Sequence, residues 1–194
     1  MAGLMRIQTI IVAAFSCVAP VHAADSHFER WADLAGDWRG ELAYLDYSSG
    51  ERQAIGMAAV MEVTPDNGFV ISRARYTDPG FDVFILTVST IDAETGAYRE
   101  SYHRGGSIET FEYTLKSADD DNNGWVYVFE DEGVDDDRPA LIRRTFSLQG
   151  ETYRQVKEVD FLDDAKDGGF LFRNEVVLTR SDENVSFDDF RRQD

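Results

Sequence analysis

The segment Tyr98-Arg99-Glu100-Ser101-Tyr102-His103-Arg104 brings a carboxylate, an imidazole, two phenols and two guanidinium groups into one short stretch. Read as a β-strand, it splits by parity into Tyr98, Glu100, Tyr102 and Arg104 on one face and Arg99, Ser101 and His103 on the other. Either set carries groups able to hold a proton or a polar ligand. The same two-faced polarity recurs in Arg73 and Arg75 against Ser72, Ala74 and Tyr76, in Arg143 against Arg144, and in Arg154 and Glu158 against Gln155 and Lys157. Charge removed from water must be paired, so one account is a set of cross-strand ion pairs on a solvated outer face. The other is an internal cavity in which Arg73, Arg75, Tyr98, Tyr102, His103 and Arg154 orient the polar end of an amphipathic ligand. Phe81, Val83, Ile85, Phe111 and Phe172 then enclose its apolar part. Alternation leaves open which set points inward. For an enzyme in such a cavity, Glu100, Tyr102 and His103 are the acid/base set for isomerase or lyase chemistry. A Ser-His-Asp site is not supported, because no Gly-x-Ser-x-Gly occurs and His103 is the one histidine inside the strand region.

Asp119-x-Asp121-x-Asn123-Gly124 followed by Glu130 fits the calcium-loop pattern D-x-[DN]-x-[DN]-G-x5-E. Trp125 to Phe129, however, is a run of β-formers. At about 3.3 Å per residue it carries Glu130 roughly 20 Å from Gly124, against a coordination distance of about 2.4 Å. The helix-loop form is therefore rejected. What remains is Ca2+ held by Asp119, Asp121 and Asn123 alone, weighed against an ordinary solvated acidic turn.

The chain of 194 residues carries a formal net charge of -18. Nucleic acid is excluded as a partner on that balance, and an anionic membrane surface is disfavoured, since both repel a polyanion. Arg6, the apolar run Ile7 to Val18 and Val21-His22-Ala23 have the pattern of an export signal, with the mature chain starting at Ala24 in the periplasm or outside the cell. Ala14-Phe15-Ser16 before Cys17 makes a poor lipobox, and the apolar run falls short of the roughly 20 residues of a membrane-spanning helix. Cys17 leaves with that segment, so the mature protein has neither disulfides nor thiolate chemistry. The expected organisation is a signal at 1–23, one domain at 24–180 and a polar tail at 181–194.

Phe28, Trp31 and Leu34 recur at helical spacing within 25–35, with Asp25 or Ser26 placed to cap. Beyond that helix, runs rich in Val, Ile, Phe, Tyr and Thr predict ten strands at about 38–47, 53–63, 69–76, 81–91, 97–104, 108–116, 124–130, 139–149, 151–161 and 169–180. Breaks such as Pro65-Asp66-Asn67-Gly68, Glu94-Thr95-Gly96 and Gly105-Gly106 supply turn conformations. Connections this short exclude parallel crossovers. The expectation is all-β, an antiparallel up-and-down barrel of about ten strands that closes to remove its edges.

Gly36-x-Trp38, behind a short helix and ahead of such a meander, resembles the calycin superfamily of lipocalins, fatty-acid-binding proteins and nitrobindin-like bacterial barrels. The resemblance implies that Gly36 and Trp38 close one end of the barrel, with Arg180 or Arg173 packed on the indole through a cation-π contact. It also implies a cavity for a small hydrophobic or amphipathic molecule. In a nitrobindin-like barrel haem is held by a histidine near the C-terminal end, where this chain has none, so no cofactor is expected. A third reading is a filled barrel that serves as a structural or envelope interaction module, with an apolar patch outside. Counting hairpins puts the turns at 48–52, 77–80, 104–107, 131–138 and 162–168 at the end opposite the helix. That mouth then carries Asp131, Glu132, Asp135, Asp136, Asp137, Asp163, Asp164 and Asp167, a rim expected to favour neutral or cationic ligands.

Overall fold

The computed structural model describes residues 29–185 apart from 47–48, 67, 79–80, 122 and 164–168. The expected signal at 1–23, the start of the predicted helix and most of the polar tail lie outside the described residues. Residues 29–31 are helical and tighten into a 3₁₀ turn at Ala32–Leu34. Ten strands follow: β1 (Gly36–Leu45), β2 (Arg52–Val63), β3 (Val70–Asp78), β4 (Phe81–Ile91), β5 (Tyr98–Arg104), β6 (Ser107–Asp121), β7 (Gly124–Asp135), β8 (Arg138–Gln149), β9 (Thr152–Phe161) and β10 (Leu171–Arg180). Each pairs antiparallel with the next, and β1 pairs with both β2 and β10. Among the described residues no strand edge is left unpaired, as expected of short turns between strands with no crossover. Among the described residues no helix is long and apolar enough to cross a membrane.

Two strands are longer than their composition suggests. Ser117-Ala-Asp-Asp-Asp121 reads as a loop, yet these residues pair with Gly124 to Val128 and extend β6. Asp131 to Asp135 likewise pairs with Arg138 to Ile142 and extends β7. Backbone pairing within a continuous ladder overrides the weak β-propensity of the aspartates. The turn between β7 and β8 is Asp136-Asp137, both at positive φ (51° and 57°), which is the twist a two-residue hairpin requires.

One end of the barrel is plugged. Trp31 packs edge-on against Phe146 and Tyr98 with ring centroids 5.2 and 5.5 Å away, and lies 5.6 Å from Trp125. Trp38 is fully buried and donates its indole N–H to the Leu34 carbonyl at 2.9 Å. Over its ring, at 4.4 Å, lies the Arg180 guanidinium, which also bonds the carbonyls of Ala35 (2.5 Å) and Asp33 (2.9 Å) and the Glu151 carboxylate (2.6 Å). Of the two arginines that the sequence allows for this contact, the structure uses Arg180. Gly36 sits at φ 144°, a conformation that favours glycine, and a Cβ there would displace that guanidinium. After β10 the chain stays on this end: Val185 is buried and its N–H bonds Asp37 Oδ1 at 2.7 Å.

The β1–β10 seam is tight. A Cβ on Gly40 would overlap the Val177 carbonyl oxygen, whereas at Gly56 on β2 nothing lies within 4 Å. Gly40→Ala is expected to destabilise by about 1–3 kcal/mol through overpacking. Gly56→Ala should be neutral or stabilising by about 0.5–1 kcal/mol, since glycine loses more chain entropy in a strand. Urea unfolding midpoints of the two variants check this contrast, which disappears if the seam is loose.

Candidate functional site

Above the plug the barrel is hollow. A cavity of about 610 Å³ runs from Trp31 and Leu34 at the floor to Tyr44, Arg104, Glu109 and Lys157 beside the turns at the other end. Cross-strand partners share a face, so the inward set follows from Trp38 through Ala59, Ala74 and Ile85 to Arg104.

That parity sorts the residues singled out in the sequence. Tyr98 and Tyr102 line the cavity. Arg73, Arg75, His103 and Arg154 do not: their neighbours Ser72, Ala74, Tyr76, Tyr102 and Gln155 face inward, which turns these four outward. There Arg73 pairs with Glu62 at 2.7 Å, Arg75 with Asp82 at 3.0 Å and Arg154 with Glu175 at 2.5 Å. His103 Nε2 lies 2.8 Å from Ser101 Oγ, beside an outer groove that includes Arg73, Phe84, Leu86 and Ile108. For the three arginines, the ion-pair account of the polar strands is the one realised. Among the apolar candidates, Ile85 and Phe111 line the cavity, Val83 is buried outside its lining, and Phe172 packs beneath Arg52 at 4.7 Å. The side chain of Phe81 lies outside the described residues. Glu100, Tyr102 and His103 are not assembled into one acid/base set, because His103 faces the opposite side of β5.

The chemistry of the cavity centres on Glu100, which is 7% exposed. Arg144 on β8 donates Nη1–H to Glu100 Oε1 at 3.0 Å, and the Tyr98 hydroxyl donates to Oε2. Burial works against the Arg144 charge, but Glu100, Tyr98 and Tyr113 together more than offset it, so Arg144 stays protonated. Its guanidinium lies 5.6 Å from the Tyr113 ring and 5.5 Å from Phe146. Arg144 Nε is buried with no hydrogen-bond partner among the described residues. Tyr153, its hydroxyl donating to Gln155 Oε1 at 3.3 Å, completes this floor cluster. The sequence pattern sets Arg144 against Arg143, and Lys157 with Gln155 against Arg154 and Glu158, without choosing, and it singles out neither Tyr113 nor Tyr153. Each stands one residue from a similarly polar neighbour, so only strand register marks it.

The mouth also differs from strand-counted expectation. Asp135 is buried and holds Lys157 Nζ at 2.5 Å and Arg173 Nε at 3.2 Å, while Arg173 Nη1 bonds the Leu45 carbonyl at 2.8 Å. Asp163 pairs with Arg138 at 2.5 Å, and Asp164 and Asp167 lie outside the described residues. Asp135 and Asp163 are thus neutralised while Asp131, Glu132, Asp136 and Asp137 stay exposed as expected, and Arg104, Arg144, Lys157 and Arg173 line the cavity against Glu100 and Glu109. Asp119 and Asp121 stand on β6, where Asp121 Oδ1 accepts the Asn123 N–H at 2.8 Å. Among the described residues no group of three or more His, Cys, Asp or Glu is arranged to hold a metal ion.

No family model and no curated protein matches the sequence. Among solved structures, the chain is similar to the crystal structure of Rv2717c from M. tuberculosis, with 10% identity, a TM-score of 0.57, and coverage of 84% of this chain and 98% of that one. That likeness concerns the fold, and a closed ten-strand antiparallel barrel fits the calycin-like architecture.

Glu100→Gln leaves Arg144 buried without a counter-charge and is expected to cost about 3–5 kcal/mol, whereas Glu100→Gln with Arg144→Met recovers much of that loss. Urea unfolding of the single and double variants measures it. Tyr98, Tyr113 and Tyr153 have phenol pKa values raised above 10, chiefly by burial. The folded state keeps these protons while the unfolded chain releases them, so stability is complete below about pH 10 and falls as pH rises beyond it. Unfolding free energies measured from pH 8 to 11 are expected to show that decline, with the buried phenols silent in difference absorbance until unfolding.

Proposed function

We propose that the protein is an exported barrel that binds a small apolar or amphipathic molecule in its central cavity. The observation that carries this reading is the hollow of about 610 Å³, stoppered by Trp31 and Leu34 below and flanked by turns above. It lies within the range of about 300–1,000 Å³ typical of small-molecule sites, and it combines apolar walls with a few polar groups held in place by their partners. Export rests on the Arg6 to Ala23 pattern. Binding is favoured over isomerase or lyase chemistry because both Glu100 oxygens are engaged, by Arg144 and Tyr98, and His103 is on the other face of its strand. A filled interaction module is disfavoured by the volume of the hollow.

The test uses 1-anilinonaphthalene-8-sulfonate as an apolar probe on the mature chain. Thr87 lines the cavity and its neighbour Val88 does not. One dye per chain is expected, with binding abolished in Thr87→Trp and retained in the outer control Val88→Trp, both checked for native circular dichroism. Dye binding that is absent, or equally unaffected by both substitutions, contradicts the reading.

A further inference from the structure

The cavity is polarised across its width rather than along its length. Every charged residue lining it stands on the wall formed by β5 to β9, except Arg173 near the mouth. That wall also carries four phenols, Tyr98, Tyr102, Tyr113 and Tyr153. The facing wall, formed by β10 and β1 to β4, is mainly aliphatic, with Leu42, Ile55, Met57, Met61, Val176 and Leu178 among its residues. Its polar members are the small hydroxyls of Ser72, Thr87 and Ser89, of which Ser89 already lies 3.5 Å from the Val70 carbonyl, and, toward the mouth, Tyr44, Tyr76 and Asn174.

From this partition we infer that the ligand is a rigid, facially amphipathic molecule, a fused-ring skeleton with one hydrocarbon face and several oxygens along the other. The inference deepens the binding reading and rests on it. A straight-chain amphiphile separates polarity from end to end, with one head and a uniform tail. Laid in this cavity, its tail would cover the β5–β9 wall, whose polar groups run from Glu100 and Arg144 at the floor to Arg104, Glu109 and Lys157 at the mouth. Along β5 alone, Tyr98 to Arg104 spans about 20 Å at about 3.3 Å per residue. Covering this wall with hydrocarbon removes water from the donor and acceptor sites that its protein partners leave free, without returning a hydrogen bond, and that is costly. A flat skeleton with oxygens on one face returns those bonds and places hydrocarbon on Leu42, Met57 and Val176 opposite. Arg144 is the cation of that wall that stands at the floor, below Arg104 and Lys157 at the mouth. Nearby, Glu100 already holds Tyr98 and Arg144 at the floor, so the polar wall is set before a ligand arrives.

Titration calorimetry with cholate and palmitate tests this. Each carries one carboxylate, so the comparison isolates a hydroxylated rigid face from a flexible chain. Cholate is expected to bind at least about tenfold more tightly, because palmitate covers the polar wall without pairing its remaining donor and acceptor sites. The preference is expected to shrink in the Glu100→Gln/Arg144→Met double variant, which removes the floor donor while leaving the aliphatic wall intact. Palmitate binding as tightly as cholate, neither ligand binding, or a preference unchanged in the double variant overturns the inference. If the naphthalene dye still enters the cavity in any of these cases, the binding reading stands and only the ligand class falls; if it does not, both fall.

Discussion

Closure of β1 onto β10 is the constraint on which the rest depends. A ten-strand meander has two edges, and only joining the first strand to the last removes them. Arg180 sits at that joint, opposite Trp38 in the register. Its guanidinium covers the indole, takes two carbonyls of the entering helical turn and pairs with Glu151 of the β8–β9 turn. One side chain from the last strand thus ties together the first strand, the plug and a hairpin. Gly36 and Gly40 leave room for the approach. With the plug held in place, the cavity has a floor, and the aromatic layer of Trp31, Tyr98 and Phe146 separates it from solvent below.

The second organising feature is the uneven distribution of charge inside an acidic protein. Burying Glu100 and Arg144 is expensive for each ion, and their attraction with the Tyr98 hydrogen bond returns much of that cost. Hydrocarbon at both positions could fill the same volume without the penalty. The pair therefore makes best sense as a fixed polar surface inside the hollow, which a molecule with matching oxygens can use. At the mouth, Lys157 and Arg173 share Asp135, so positive groups point inward although the chain as a whole is strongly negative. Global charge and cavity charge are separate quantities, and a molecule entering the hollow would meet the second.

Much of this architecture was legible in the residues. Gly and Asp-rich breaks marked the turns, alternation marked the strands, and Gly36, Trp38 and Arg180 meet as the calycin resemblance implied. The inward face was not legible, for a physical reason. Arg143 and Arg144 are identical side chains on opposite faces of β8, one pairing with Glu130 outside and the other with Glu100 inside. Composition cannot separate them; register can. Had each turn been counted residue by residue from Trp38, the inward set would have followed strand by strand, but unequal loops such as 46–51 and 136–137 hide the count. The aspartates misled in the same way. Asp135 reads as one more acid in a charged loop beside Asp136 and Asp137, yet it ends a strand and lies buried between two cations.

The central claim is that the hollow barrel holds a small molecule. It is tested most directly by isolating the mature protein from the periplasm of an expression host under native conditions. Intact mass spectrometry is then compared with analysis of the denatured extract. The account predicts a reproducible small molecule, bound one per chain and released on unfolding, and absent from a Thr87→Trp variant prepared in parallel. The same species released equally from both preparations would contradict it, because occupancy would then not depend on the cavity.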